Sequence, residues 1–183
     1  MDQTVFQFIN GLAGRWIWLD RIWIFCATYL EYILIGGVVV LALWPVQHIQ
    51  HFKKTGRVAL LAMLGSYVVF KIGLPFLLLR PRPFIIFADA VRLINTNSLE
   101  HFRSFPSGHA VSSFALAMVV WLYDKPLGRW FLAGAILVSI GRVFVGVHWP
   151  SDILAGAAFG IFGAYVTKQR VTRYSGFWDR FLS

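Results

Sequence analysis

Charge is scarce in this chain. Asp, Glu, Lys and Arg together make up only 14% of its 183 residues, against roughly 25% in a soluble globular domain. A soluble fold of this length buries a good core, but its surface cannot hide a composition that is 58% hydrophobic. With a mean hydropathy of +0.66, the shortage of charge excludes an ordinary water-soluble domain and leaves the bilayer as the solvent. Cysteine is nearly absent. The single Cys26 sits in an apolar run, so no disulfide framework can form within the chain. No low-complexity tract or internal repeat is present. The first residues lack a basic stretch followed by an apolar one, so no cleavable signal peptide is expected and the first span is expected to direct insertion itself. Acidic residues are rarer than basic ones, giving a net charge of +9. The basic residues fall in short segments between apolar runs and not in one stripe, which argues against nucleic acid as a partner and suits membrane topology.

A transmembrane helix needs about 20 apolar residues. Five runs are read as spans: Ile22–Trp44, interrupted by Glu31; Val58–Leu79, interrupted by Lys71; the shorter His109–Tyr123; Leu127–Val147, with Arg142 near its end; and Ile153–Thr167. At the N-terminus, Val5, Phe8, Ile9 and Leu12 recur at helical spacing, which predicts an amphipathic helix lying in the interface. The expected fold is therefore all-α, a polytopic bundle of five spans plus that interfacial helix, or six if the N-terminal piece inserts. Its parts would be an interfacial helix over residues 1–15, a transmembrane core over 22–167 and a basic cytoplasmic tail over 168–183. Eight Trp among 17% aromatic residues fit rings placed at the membrane–water boundary. Gly156 and Gly160, with Ala155 and Gly163 nearby, suit close helix packing.

Lys and Arg in short loops set orientation. Lys53, Lys54 and Arg57, then Lys125 and Arg129, then Lys168, Arg170, Arg173 and Arg180 all fall on one side, which is expected to be cytoplasmic. The opposite side carries the N-terminus, the long segment 80–108 and the short turn His148–Ser151. That outer segment is basic too, with Arg80, Arg82, Arg92 and Arg103, an excess that the orientation rule leaves unexplained.

Catalysis explains it. Topology brings three clusters to the outer face: Arg80-Pro81-Arg82-Pro83, then Pro106-Ser107-Gly108-His109, then Arg142 with His148 and Asp152. Guanidinium groups grip phosphate oxygens bidentately and keep their charge, and two of them can hold a phosphate through its transition state. Ser107 and Gly108 open a helix, where backbone N–H groups attract anions, and glycine lets a ligand approach the backbone. Asp152 stands four residues after His148, close enough to take one ring N–H and free the other nitrogen to attack phosphorus. His109 can protonate the departing lipid oxygen, and water then releases the phosphohistidine. No cofactor or metal is called for, because arginine supplies the positive charge. Each piece alone is ordinary: a lone loop histidine decorates a surface, a Ser-Gly caps a helix, and Arg142 alone could anchor at the interface. Their conjunction at membrane depth, where ionisable groups are expensive, points to function.

The second and third clusters resemble the signature of the type-2 phosphatidic acid phosphatase superfamily, K-x6-R-P, P-S-G-H and S-R-x5-H-x3-D. The second motif is intact as Pro106–His109, and the third runs intact from Arg142 through His148 to Asp152, with Gly141 in place of the leading Ser. The resemblance covers spans two to five. It implies His148 as nucleophile, Asp152 as its partner, His109 as general acid, and Arg82, Ser107, Gly108 and Arg142 as phosphate ligands, with Arg80 a further candidate. The short chain, its N-terminal amphipathic piece, Leu19-Asp20 before span one and the run Tyr29–Tyr32 resemble the bacterial undecaprenyl-pyrophosphate phosphatases associated with bacitracin resistance. That resemblance implies a plasma-membrane enzyme that recycles the cell-wall lipid carrier, with lipid phosphate and bilayer as its partners and no obligatory protein partner. Phosphatidylglycerophosphate or phosphatidate is the alternative substrate, since the motifs read phosphate and not lipid. A phosphotransferase using the same phosphohistidine and a non-catalytic scaffold are the readings of another class.

The first motif departs. Seven residues before Arg82 stands Pro75, and seven before Arg80 stands Gly73, so the signature's lysine position is empty. Two readings follow for Lys71. It reaches the site with its long side chain, helped by a kink at Pro75, or it pairs in the membrane with Glu31, which lies at a matching depth. His101 and Arg103 read as ordinary loop residues. The apolar Phe84–Phe87 is expected to dip into the interface and help choose the lipid.

Overall fold

The computed structural model describes residues 1–43, 50–73, 78–174 and 178, and all regular elements among them are helical. In chain order they are α1 (Asp2–Asn10), α2 (Ile17–Thr28), α3 (Leu30–Leu43), α4 (Gln50–Ser66), α5 (Pro83–Ile86), α6 (Gly108–Tyr123), α7 (Lys125–Phe144) and α8 (Pro150–Arg173). A π-helical stretch, Tyr67–Gly73, continues α4. Pro75, Trp44 and Arg180, which entered the sequence reading, lie outside the described residues. Two of the helices are long and apolar enough to cross a membrane, Phe52–Gly73 and Lys125–Phe144, and a third span results if α2 and α3 count as one.

α6 is the centre of the bundle. Ala110, Val111, Ala115, Leu116, Ala117, Val119 and Val120 on it are fully buried, enclosed by α4, α7 and α8. Leu34 and Val38 of α3, Val58 of α4 and Phe131 and Val138 of α7 complete this core. Glycine sets the spacing of α6 and α8. A Cβ on Gly160 would stand 2.4 Å from the Val111 carbonyl oxygen, and one on Gly156 would stand 2.8 Å from that of Ser107. The small-residue pattern expected to pack helices does so here. Asp124 starts α7 by accepting from the Leu127 N–H at 2.8 Å.

Two elements differ from the sequence reading. The run read as a single first span is broken at Tyr29, with α2 and α3 bent by 42°. The N-terminal helix ends at Asn10, and of its apolar stripe Ile9 packs on the protein. Val5 and Phe8 are exposed, whereas Phe6 and Asn10 are buried. Phe6 packs on Trp149 and Phe87, with ring centroids 5.4 and 6.4 Å away. The Asn10 amide donates to the carbonyls of Val91 and Phe144, both at 2.8 Å, and accepts from the Val91 N–H. Periodicity finds an apolar stripe but cannot tell a face for protein from a face for lipid.

The segment joining Arg80 to α6 is held against its own start. The Arg80 N–H donates to the Phe102 carbonyl, the Ser104 N–H donates to the Arg80 carbonyl, and the Arg82 N–H donates to the His101 carbonyl, all at 2.9–3.0 Å. This pairing lays Arg80-Pro81-Arg82 beside residues 101–104, directly before α6. Ile85 and Ile86 of α5 are exposed, whereas Phe84 and Phe87 pack on the protein.

Candidate active site

A cavity of about 570 Å³ opens between the bend of α2 and α3, the π-helical stretch, the start of α6 and the end of α7. Lys71, Arg82, Gly108, His109, Arg142 and His148 all line it, although the sequence scatters them over 78 positions (71 to 148). His148 is 1% exposed and Asp152 is fully buried. The His148 Nδ1 faces the Asp152 Oδ2 at 3.5 Å, and its Nε2 lies 3.3 Å from the Arg82 Nη1. One ring nitrogen is thus turned to a carboxylate and the other to a phosphate-binding type of cation. Burial, then the charges of Arg82, Arg142 and Lys71, hold the His148 imidazole well below its ordinary pKa, so the ring is neutral and its lone pair available.

Asp152 is fixed from several sides. Its Oδ2 accepts from the Ser104 hydroxyl at 2.5 Å and from the Trp149 N–H at 2.9 Å, the latter a cap on the first turn of α8. Its Oδ1 accepts from the Arg80 Nη1 at 2.6 Å. Arg80 also donates to the Ser151 hydroxyl at 2.7 Å and to Asp2 at 2.6 Å. Arg80 is not among the residues that line the cavity. Its guanidinium is engaged by three oxygens, those of Ser151, Asp152 and Asp2, on the side of Asp152 away from the histidine.

Arg82 is 3% exposed. It donates to the Val147 carbonyl at 2.7 Å, to the Glu100 carbonyl at 2.8 Å and to the Glu100 carboxylate at 3.2 Å. Burial lowers its pKa from the ordinary guanidinium value, and Glu100 works against that shift. Arg142 gives one N–H to the Ala27 carbonyl at 3.2 Å. Its buried Nε has no hydrogen-bond partner among the described residues.

Lys71 reaches the cavity. Its ammonium donates to the Arg103 carbonyl at 3.0 Å and lies 3.7 Å from Glu100. Gly108 makes room for it, since a Cβ there would stand 3.1 Å from both the Lys71 stem and the Tyr67 ring. Lys71 does not pair with Glu31. That carboxylate sits 3.3 Å from the His109 Nε2 and accepts from the Ser112 hydroxyl. Ser107 precedes α6 as expected, but its N–H donates to the Asp152 carbonyl at 3.1 Å, and its buried hydroxyl has no partner among the described residues. The backbone donor expected for an anion is therefore occupied at Ser107.

Sequence reasoning missed Ser104 and Glu100 and misassigned Glu31. Ser104 and Glu100 carry no local signal, because they matter only once residues 101–104 lie beside Arg80. Glu31 did carry one, a carboxylate inside an apolar run.

Residues 56–175 match the model of the PAP2 superfamily. The chain belongs to the PAP2 superfamily. It is 31% identical to the bacitracin transport permease protein BcrC of Bacillus licheniformis, over 90% of this chain and 77% of that one. It is 26% identical to the undecaprenyl-diphosphatase BcrC of Bacillus subtilis, over 88% of this chain and 79% of that one. The crystal structure of LpxE from Aquifex aeolicus superposes with a TM-score of 0.76 at 27% identity, covering 92% of this chain and 94% of its own. With its apolar spans, this PAP2 protein is an integral membrane protein.

Proposed function

We propose that this chain is a membrane lipid phosphatase that hydrolyses undecaprenyl pyrophosphate to undecaprenyl phosphate through a phosphohistidine at His148. The observation that carries the mechanism is the two-sided setting of that ring, with Nδ1 toward Asp152 at 3.5 Å and Nε2 toward Arg82 at 3.3 Å. Nε2 attacks phosphorus while Arg82, Arg142 and Lys71 neutralise the phosphoryl oxygens. Ser107 and Gly108 frame the phosphate side at the start of α6. The P–O bond breaks, His109 protonates the leaving oxygen, and water then cleaves the P–N bond. The relatives named for bacitracin and for undecaprenyl diphosphate support the choice of lipid.

The reaction face is read as the outer one. Lys125 and Arg129 at the start of α7, and Lys168, Arg170 and Arg173 at the end of α8, stand at the helix ends opposite His148, and basic loops favour the cytoplasm. A lipid headgroup presented outside reaches the cavity without crossing the bilayer.

The test is phosphate release by purified protein in detergent from undecaprenyl pyrophosphate, phosphatidylglycerophosphate and phosphatidate. Turnover is expected to be highest on the pyrophosphate, insensitive to chelators and abolished in His148→Ala. Full activity in His148→Ala would remove the mechanism, and preference for a glycerophospholipid would replace the substrate.

A further inference from the structure

Glu31 has no part in the mechanism above, yet it is 8% exposed on an apolar helix. A charge there is costly unless something holds it. What holds it is the first turn of α6. Its Oε2 lies 3.3 Å from the His109 Nε2, and its Oε1 accepts from the Ser112 hydroxyl. The same hydroxyl oxygen lies 2.8 Å from the Gly108 carbonyl, which competes for its one proton. Glu31 also stands in the first turn of α3, the end of a helix that favours negative charge. Two helices distant in sequence thus deliver one carboxylate to one imidazole.

The site then contains two carboxylate–histidine pairs with opposite tasks. Asp152 leaves His148 with a free lone pair. A general acid needs the reverse: it must arrive carrying a proton. His109 shares its cavity with Lys71, Arg82, Arg142 and His148, and with the phenols Tyr29, Tyr32 and Tyr67, so a proton on its ring joins three permanent cations. Glu100 is engaged by Lys71 and Arg82, and Asp152 by Arg80, Ser104 and His148. Glu31 is the carboxylate at ion-pair distance from His109 among the described residues.

We infer that Glu31 is the positioning residue that orients His109 for proton delivery, and that it thereby sets which leaving groups this enzyme can expel. The inference rests on the phosphatase reading and adds a leaving-group rule to it. With the Nε2–H donated to Glu31, the proton that moves is the one on Nδ1. In the first half-reaction the His148 Nε2–P bond forms and the P–O bond breaks. Its electron pair stays on the leaving oxygen, which takes the Nδ1 proton. In the second, water oxygen bonds phosphorus and gives a proton back to Nδ1, while the P–N electron pair returns to Nε2. His109 ends each cycle as it began. A monoester expels an alkoxide, which requires that proton in full. A lipid pyrophosphate expels a phosphate monoester, whose second pKa is about 6, so it departs as a stable anion with little help. Glu31 therefore governs monoester hydrolysis and is nearly dispensable for the pyrophosphate.

The experiment compares wild type, Glu31→Gln, Glu31→Asp and His109→Ala in detergent on phosphatidate, undecaprenyl pyrophosphate and p-nitrophenyl phosphate, whose phenolate leaves readily. Positioned general acids contribute about 10²–10⁴-fold. Glu31→Gln is expected to lose about 10²-fold on phosphatidate and less than about threefold on the other two. His109→Ala should lose activity on all three substrates and most on phosphatidate, and the double variant should lose no more than His109→Ala alone. The ratio between substrates in one preparation does not depend on how much protein is folded. Glu31→Asp keeps a buried anion for folding while retracting it from the ring, and should lose less with the same selectivity. An equal loss on all three substrates in either variant, or no loss on phosphatidate, overturns the inference. Turnover that survives in His148→Ala would instead overturn the phosphatase mechanism.

Discussion

Arg80 grips Asp152 from the side away from the nucleophile. Its Nη1 meets the Oδ1 at 2.6 Å, while the other carboxylate oxygen faces His148. The same guanidinium holds Asp2 through Nη2, and Asp2 accepts from both the N–H and the hydroxyl of Ser151. The N-terminal helix is thereby tied to the base of the catalytic helix α8.

Arg80→Ala should lower kcat about tenfold, equivalent to about 1.4 kcal/mol at the barrier, and leave KM within about twofold, because the residue orients Asp152 and does not line the cavity. Arg82→Ala should raise KM as well. Steady-state kinetics on one substrate separate the two arginines. Asp2→Asn should fall in the same direction as Arg80→Ala and by less.

Asp152→Asn keeps the shape of the side chain but presents an amide where the carboxylate takes a ring proton. The loss expected is on the order of 10²–10⁴-fold, and it should lie in formation of the phosphoenzyme. Acid-quench trapping of labelled phosphohistidine shows this as a slowed first phase.

The pH profile follows from His148. Burial and its cationic neighbours depress its pKa, so the folded enzyme keeps the neutral, nucleophilic ring at pH values where a free histidine, at about 6.5, would be protonated. The acid limb of kcat/KM, which reports the free enzyme, should therefore lie below about pH 6.5. Arg82→Gln removes the largest of the neighbouring charges and should move that limb upward. The sign for stability is the same. The unfolded chain takes up this proton first, so the contribution is present above about 6.5 and lost as the pH falls from there toward the folded value.

Gly160→Val tests packing alone. The new side chain meets the Val111 carbonyl and the Ala115 N–H of α6. Overpacking of this kind costs about 1–3 kcal/mol or more. Thermal unfolding in detergent should show a lowered midpoint, with kcat per folded enzyme little changed.

The helical bundle was legible because apolar runs and small-residue spacing are local signals. His148, Asp152, His109 and Arg142 were nameable because their spacings are short and their chemistry is specific. Lys71 was ambiguous for a physical reason. The stretch Tyr67–Gly73 is π-helical, and i→i+5 hydrogen bonding turns the chain less per residue than an α-helix does. Depth counted at α-helical rise and spacing counted from Arg82 therefore both misplace its side chain. Arg80 looks like a second Arg82 because only Pro81 separates them in sequence, whereas in the fold Arg82 lines the cavity and Arg80 is drawn away by Asp2, Ser151 and Asp152. From sequence Glu31 reads as a costly charge with Lys71 as one of its candidate partners, whereas the imidazole it meets, His109, lies on a helix 78 residues further along (31 to 109).

The carboxylate of Glu100 lies 3.2 Å from Arg82 and 3.7 Å from Lys71. Any phosphate arriving at those two cations meets a charge that already has a counterion, so its capture is ion exchange and not the filling of a bare electrostatic well. The net gain is the difference between two anions. An intact substrate adds to that difference through its lipid chain, and the released inorganic phosphate cannot. A built-in counterion of this kind makes the site reluctant to retain its own product.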